Sequence, residues 1–274
     1  MSAVPREPTG RLLADLVNGP SLVTRAVWHD RIGSTNAEVG RLAAQAAGEG
    51  LLVLADEQTA GRGRRGRSWH APPGTSLMGS LLLRPHLQGQ LQALLPLVTG
   101  LCLVEAAEPL VPGAQLSLKW PNDLLADTAG AGATDDPARK CAGILLEAPT
   151  RNTVILGFGV NVDWRGVQRP PELASVTSLS EVGRGAVDRW RLLPAFVERF
   201  DRRYRDWCTD PHAFLPAYRE RCATLGSAVR VEQREDRALL GTAARVTDDG
   251  ALEIDIDGSA VIVRAGDVHH LRHA

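Results

Sequence analysis

The spacing of apolar residues along this chain changes period several times, and each change marks the limits of an element. A short helical pattern from Arg11 to Val17 is closed by Asn18-Gly19-Pro20. Val23 to His29 reads as a strand and leads into Gly33-Ser34-Thr35-Asn36, where Thr35 and Glu38 form a T-x-x-E capping box for a helix running to about Ala47. Leu51-Leu52-Val53-Leu54-Ala55 and Ser76 to Leu83 are continuous apolar runs of strand length, the pattern of strands buried on both faces. Gln90 to Glu108 reads as a largely apolar helix interrupted or bent near Pro96. Alternation from Leu116 to Trp120 predicts a strand that Pro121 stops, with Asn122-Asp123 as a turn beyond it.

The polar stretch from Asp127 to Arg139 reads as a mobile insertion. Lys140 to Glu147 then has the apolar density of a central strand, and Thr153 to Val162 pairs naturally beside it. Gly157 and Gly159 alternate within that second strand, so one of its faces is bare and a flat ligand can be expected against it. A Pro- and Ser-rich loop from Arg169 to Ser180 precedes an amphipathic helix from Asp188 to Trp207, bent at Pro194, and a second helix from His212 to Cys222. From Leu225 onward the period shortens to alternating strands separated by Asp-Gly turns, which predicts a small β-barrel of about 50 residues.

Composition narrows this picture. At 274 residues and 44% hydrophobic, the chain can bury a large core. The expected division is 1–224 for an α/β domain and 225–274 for the barrel. A formal net charge of −1 supplies no global field for nucleic acid or anionic membrane, so anion recognition has to be local. Cys102, Cys141, Cys208 and Cys222 form no C-x-x-C pair, no signal peptide is evident, and no apolar run suggests a membrane span, so a reducing cytoplasm is expected. Only Lys119 and Lys140 are lysine among 31 basic residues. In a chain that otherwise uses arginine for every cation, these two positions suggest a need for a compact ammonium.

The local anion site is plain in the sequence. Gly61-Arg62-Gly63-Arg64-Arg65-Gly66-Arg67 joins two predicted strands, with glycines that let backbone approach a ligand and arginines that match phosphate or carboxylate. The free loop should be open or poorly ordered, since its arginines repel one another until an anion arrives.

Five motifs in order carry a resemblance. Gly33-Ser34-Thr35-Asn36, Gln58-Thr59-Ala60-Gly61 running through Arg67-Ser68-Trp69, Lys119-Trp120-Pro121-Asn122-Asp123, Lys140-Cys141-Ala142-Gly143 to Glu147, and Gly157-Phe158-Gly159-Val160-Asn161 follow one another as in the biotin–protein ligases. The likeness covers the chain after about residue 21 and is similar in kind to a short form without the N-terminal DNA-binding domain, since 33 residues precede Ser34. It implies an α+β fold, with a mixed-sheet catalytic domain of the biotin/lipoate ligase type and a small C-terminal SH3-like β-barrel. It also implies two reactions, formation of biotinyl-5'-AMP from biotin and ATP, then transfer of biotin to a lysine of the biotin-carrier domain of an acyl-CoA carboxylase.

The same resemblance implies residue roles. Arg64 and Lys140 would neutralise charge as two anions meet, and Asp123 would orient the acceptor amine and take its proton. Ser34, Thr35, Asn36 and Gln58 would hold the ring end of biotin with the backbone at Gly143. Gly61 and Arg62 would lie near biotin, and Trp69 would cover its chain. Arg64, Arg65, Arg67 and Lys140 would meet the phosphates, and Asn161 the adenine edge. Mg²⁺ would ride on the ATP phosphates with no protein metal site. Lipoate–protein ligases are the nearest alternative, disfavoured by the Gly-Arg loop and the Lys-Trp-Pro-Asn-Asp motif. A biotin-responsive repressor needs a winged helix of which the sequence shows no sign, so no nucleic-acid partner and no membrane are expected, with the protein a monomer or homodimer.

Overall fold

The computed structural model describes residues 7–87, 89–128, 138–183, 185–232 and 238–271. In chain order the larger unit comprises α1 (Gly10–Asn18), β1 (Arg25–Ile32), α2 (Thr35–Ala44), β2 (Leu51–Gln58), β3 (Ser76–Leu83), α3 (Leu95–Ala107), β4 (Ala114–Lys119), β5 (Asp123–Thr128), β6 (Arg139–Thr150), β7 (Thr153–Asn161), α4 (Leu179–Val182), α5 (Arg189–Thr209) and α6 (Leu215–Arg221). Its strands form one sheet in the order β1-β2-β3-β7-β6-β5-β4. Only β1 and β2 are parallel, joined through α2, and the other neighbours are antiparallel, so the sheet is mixed.

Alternation within each strand divides the apolar residues between two layers. Leu52, Leu54, Leu81, Leu83, Leu156 and Phe158 enter the main core with α3 and α5. Leu51, Val53, Leu82 and Ile155 face the other way and pack with Val39 of α2. The continuous apolar runs of β2 and β3 are thus explained, because both faces are covered. Each fully buried Leu contributes about 1.5–3 kcal/mol relative to an exposed one. Along α5, Phe196, Phe200, Tyr204 and Trp207 stack at successive turns, starting from Phe158 on the sheet.

Several expectations need correction. Ser34 rather than Thr35 caps α2, accepting from the Ala37 amide, which leaves Thr35 as the first helical residue with its hydroxyl available elsewhere. Near Pro96 the expected interruption is found, as a 3₁₀ turn (Gly89–Leu94) gives way to α3, and Pro96 stands in the first turn of α3, where its missing N–H costs nothing. β4 ends at Lys119 and Asp123 begins β5, so the turn comprises Trp120, Pro121 and Asn122 and the Leu124-Leu125-Ala126 run is a strand. The stretch Gly89–Leu110 is long and apolar enough to cross a membrane by length and composition, contrary to the expectation from the sequence. In this fold it contains the central helix α3, nearly every residue of which is buried against β-sheet and α5. The predicted insertion lies largely outside the described residues.

The smaller unit is a five-stranded antiparallel sheet, β8 (Ala228–Glu232), β9 (Ala238–Val246), β10 (Leu252–Ile256), β11 (Ser259–Val263) and β12 (Asp267–His270), in the order β11-β10-β9-β8-β12. This is the SH3-like arrangement. β12 was not foreseen, since Asp-Val-His-His carries a single apolar residue. The two units meet at the end of β4. Trp120 donates its indole N–H to the Gly250 carbonyl (2.8 Å) and its amide to Thr224 Oγ1 (3.0 Å).

Candidate active site

Strand register assembles one row across the sheet. Lys119 lies opposite Asp123, Asp123 opposite Gly143, Gly143 opposite Gly159, and Gly159 opposite Met78. Directly opposed residues project to the same face. The glycines do not leave that face bare. A Cβ at Gly159 would stand 2.6 Å from the Trp69 ring, and one at Gly143 3.0 Å from it. In the neighbouring row a Cβ at Gly157 would stand 2.2 Å from Asn36 Oδ1. The chain's own indole and carboxamide stand against Gly159 and Gly157 and become walls of the site, while Gly157, Phe158 and Gly159 still line the cavity between those walls.

Beneath them lies a polar network of uncharged, mostly buried side chains that ends on a carboxylate. The Thr35 amide and hydroxyl both donate to Gln58 Oε1 (2.8 and 3.2 Å). Ser80 Oγ donates toward Thr35 Oγ1 (2.7 Å) and Asn36 Oδ1 (2.6 Å), and Asn36 Nδ2 donates to Glu147 Oε2 (2.7 Å). Ser34, Thr35, Asn36 and Ser80 are all buried. Ser80 escaped notice in the sequence because a lone serine in an apolar strand is usually a packing residue; only the register shows that it shares a face with Gly157. Glu147 was quoted only as the end of a motif, yet its other oxygen pairs with Arg62 (3.4 Å).

Above the network the glycine-arginine loop is folded down rather than open. Its ends are pinned by Ala60 N–H to Gly33 O (2.8 Å) and Trp69 N–H to Gly61 O (2.9 Å). Its tip is a single 3₁₀ turn, Arg64–Gly66, with Arg65 and Gly66 at positive φ (56° and 75°), a geometry that suits the glycine. Arg64 donates to Asn122 Oδ1 (2.8 Å), and burial pushes its guanidinium down from the usual range while Asp267 and Asp123 oppose that shift. Arg65 donates to the Glu232 carbonyl (2.8 Å) and pairs with Asp267, and Arg67 also pairs with Asp267. The smaller unit thus holds the loop down, a contact for which nothing in the motifs gave a signal.

The end of the β4–β5 hairpin supplies the charge at the centre. Asn122 exchanges two hydrogen bonds with Ile144 across the sheet, Nδ2 to O (3.0 Å) and O from N–H (2.9 Å), which fixes the turn. Lys140 Nζ stands 2.7 Å from Asp123 Oδ1 and 5.8 Å from the Trp69 ring centroid. Lys119 is half-buried, and burial lowers its ammonium from the usual range, an effect that Asp123 opposes and Lys140 reinforces.

Two cavities meet here. The first is lined by Ser34, Thr35, Asn36, Gln58 and Arg62 beneath the loop. The second, of about 380 Å³, is lined by Arg67, His70, Asp123, Asn161, Trp164 and Asp267 among others. Gly63, Arg64, Trp69, Asn122 and Lys140 border both. Gly143 lines the first cavity, whereas Gly61 and Arg65 line neither. Asn161 donates to the Thr177 carbonyl (3.0 Å), but its Oδ1 and the Trp69 Nε1 are buried with no hydrogen-bond partner among the described residues. A buried polar atom left so costs about 1–3 kcal/mol, which a ligand with complementary groups removes. Among the described residues no three His, Cys, Asp or Glu side chains cluster to hold a metal. Cys141 is buried and its thiol is pushed up by burial, consistent with a packing role.

Residues 28–162 match the biotin/lipoate A/B protein ligase family, and residues 224–271 match the biotin protein ligase C-terminal domain. The chain is 38% identical over 245 residues to the biotin--[acetyl-CoA-carboxylase] ligase of Mycobacterium tuberculosis, covering 88% of this chain and 86% of that one. It is 32% identical to the bifunctional ligase/repressor BirA of Bacillus subtilis, covering 88% and 73% respectively. A biotin protein ligase from Aquifex aeolicus, solved in complex with biotin and ATP, superposes with a TM-score of 0.74 at 27% identity, covering 91% of this chain and 99% of that one.

Proposed function

This chain belongs to the biotin protein ligase family, and from that premise we propose how its two cavities divide the work. It is an ATP-dependent biotin–protein ligase, forming biotinyl-5'-AMP from biotin and ATP and then passing biotin to a lysine of a biotin-carrier domain of an acyl-CoA carboxylase. The observation that carries the assignment is the shared border. Two substrates whose reactive ends must touch need two pockets with a common wall, and that wall here holds Arg64 and Lys140.

Biotin takes the first cavity. The neutral donors and acceptors of Ser34, Thr35, Asn36 and Gln58, with the Gly143 backbone, suit an uncharged ureido ring, Arg62 lies over the same cavity, and the carboxylate end points to the border with Arg64 and Lys140, Gly61 acting through the loop fold. Trp69 forms the wall along the chain between ring and carboxylate. ATP takes the second cavity, with Asn161 Oδ1 as acceptor for the adenine amine and Arg64, Arg67 and Lys140 toward the phosphates, Arg65 acting through the loop fold. Adenylation brings a carboxylate to a phosphate, and preset cations at that point stabilise the charge that accumulates. In the second step the acceptor amine must be neutral to attack, and Asp123 accepts its proton once Lys140 has turned to the phosphate. Mg²⁺ would ride on the ATP phosphates and screen their charge, since it keeps most of its waters and needs few protein ligands.

The same reading divides the chain into 1–224 and 225–274, places the protein in the cytoplasm as a monomer or homodimer, and gives it no nucleic-acid or membrane partner. The start of the second sheet at Ala228 and the near-zero net charge support it. Purified protein with biotin, Mg-ATP and a carrier domain should release pyrophosphate and AMP in equal amounts and biotinylate the carrier. Lipoate should not replace biotin. Pyrophosphate release with lipoate and not with biotin overturns the assignment.

A further inference from the structure

Asp123 is flanked by two amines, and only one of them is bound to it. Lys140, from β6, holds Asp123 at 2.7 Å. Lys119, from β4, stands directly opposite Asp123 in the closing pair of the β4–β5 hairpin, on the same face of the sheet. Its ammonium makes no hydrogen bond or ion pair among the described residues, although it is half-buried, and a half-buried cation without a partner is costly unless a later state supplies one. These are also the only two lysines of the chain, which uses arginine at 29 other positions.

We propose that Lys119 is a positioning residue for the transfer step, acting as the second counter-ion of Asp123. This rests on the assignment above, in which Lys140 turns toward the phosphate during adenylation. When Lys140 leaves, Asp123 loses its 2.7 Å partner in a partly desolvated setting, and its carboxylate would drift or take up a proton before the acceptor amine arrives. Lys119 is the cation already in register to hold it. A point charge on a flexible stem can shift across one strand spacing, about 4.8 Å, whereas a planar guanidinium is directional. The acceptor proton then passes to Asp123 as its nitrogen attacks the acyl carbon. The N–C bond forms, the C–O bond to phosphate breaks, and AMP leaves with the electron pair.

The surroundings fit a cation that is kept from other anions. Toward Asp123 face Lys140 from β6, Arg64 from the loop and Tyr218 from α6. Toward Lys119 face Asp123, Lys140, Arg67 and Asp267, and His270 of β12 lies close enough for the Lys119 charge to lower it. Asp267, the other anion near Lys119, is already paired with Arg65 and Arg67. Asp123 is therefore the anion left to Lys119.

The test separates the half-reactions in the full-length protein. Lys119→Met, similar in length but uncharged, should leave pyrophosphate release from biotin and Mg-ATP within about twofold of wild type. It should slow single-turnover transfer from preformed biotinyl-AMP to a carrier domain by about tenfold or more. Lys119→Arg, which keeps the charge but replaces the compact ammonium with a directional fork, should recover only part of that loss. In an Asp123→Asn background, Lys119→Met should cost nothing further, because a residue acting through another has no effect once that other is gone. Additive losses in the double variant, or equal slowing of both half-reactions, overturn the proposal. A wild-type protein that forms no biotinyl-AMP overturns instead the assignment on which it rests. If Asp123→Asn alone transfers at the wild-type rate, the role given to Asp123 fails and this one with it.

Discussion

The two sides of the site are built on opposite principles. The floor of the first cavity is a mostly buried hydrogen-bonded network of uncharged side chains, running from Gln58 through Thr35, Ser80 and Asn36, and anchored at its outer end on the Glu147 carboxylate. The loop above it is charged and partly exposed, and it is held by ion pairs to another part of the molecule, with Arg62 and Arg67 side chains 54% and 59% accessible. A satisfied buried network is rigid, because any displacement leaves polar groups unpaired. Exposed ion pairs contribute only about 0–1 kcal/mol each, so a segment they hold can be released by a competing anion at small cost. The contrast teaches which side discriminates between substrates and which side opens.

The largest expected effect lies on the charged side, at the shared border. Lys140→Ala removes an electrostatic stabiliser of the forming adenylate and should slow biotinyl-AMP formation by about 10²-fold or more, with biotin affinity little changed. Pyrophosphate release measured in rapid-quench experiments decides it. An unchanged rate moves the role to another cation.

The floor should respond in the other currency, affinity. Gly157→Ala places a methyl where Asn36 Oδ1 now lies, 2.2 Å from the new carbon, so the carboxamide must swing out and break its bonds to Ser80 and Glu147. Losing a bond or two of about 1 kcal/mol each predicts a biotin Kd weaker by about tenfold, while turnover at saturating biotin changes less. Titration calorimetry for biotin, beside turnover at saturation, separates the two. A fall in turnover with unchanged Kd would mean that the floor is not where biotin is read.

How much of this contrast was legible in the sequence differs between the sides. The loop announced itself, because seven residues of glycine and arginine between apolar strands have no structural reason to be there. The strands and the barrel followed from periodicity and the mixed sheet from the resemblance carried by the five motifs, and only the strands hidden by a turn motif or by polar residues, β5 and β12, were missed. The floor was half legible. Ser34, Thr35, Asn36 and Gln58 stood in motifs, but Ser80 and the true purpose of Gly157 and Gly159 depend on register between strands distant in sequence, which no local pattern encodes. The clasp of Asp267 on Arg65 and Arg67 joins positions some 200 residues apart and had no local signature at all.

The junction between the two units makes the comparison depend on pH through a different residue. His270 sits at the junction with its Nε2 3.1 Å from Thr224 Oγ1, and burial together with the Lys119 charge lowers its pKa from 6.5 to about 4. A histidine kept neutral in the folded state binds a proton more readily once released. Its contribution to docking of the smaller unit is therefore fully present above about pH 6.5 and is lost as pH falls toward 4. Thermal melts at graded pH should show Tm falling through that window, and His270→Gln should flatten the fall. A Tm profile unchanged by the substitution would place the pH sensitivity at other groups.

The smallest effect concerns the loop's opening, and it tests the contrast most directly. Arginine is a trypsin target, so cleavage between Arg62 and Arg67 reports how often the loop lifts from the sheet. The folded-down loop of this structure is held by Arg64 to Asn122 and by the pairs of Arg65 and Arg67 with Asp267. Because those pairs are surface contacts worth about 1 kcal/mol together, the free protein should still be cut there, and Asp267→Asn should speed the cut by about fivefold. Biotin and Mg-ATP added together should protect both proteins, since the adenylate supplies the anion for which the loop's arginines are spaced and closure shields an acyl phosphate from water. If cleavage proceeds equally with and without ligands while cuts elsewhere are matched, the loop is no lid. If Asp267→Asn leaves the rate unchanged but ligands protect, the loop is held by its hydrogen bond to Asn122 and its backbone pins, and the charged side would prove as preset as the neutral one.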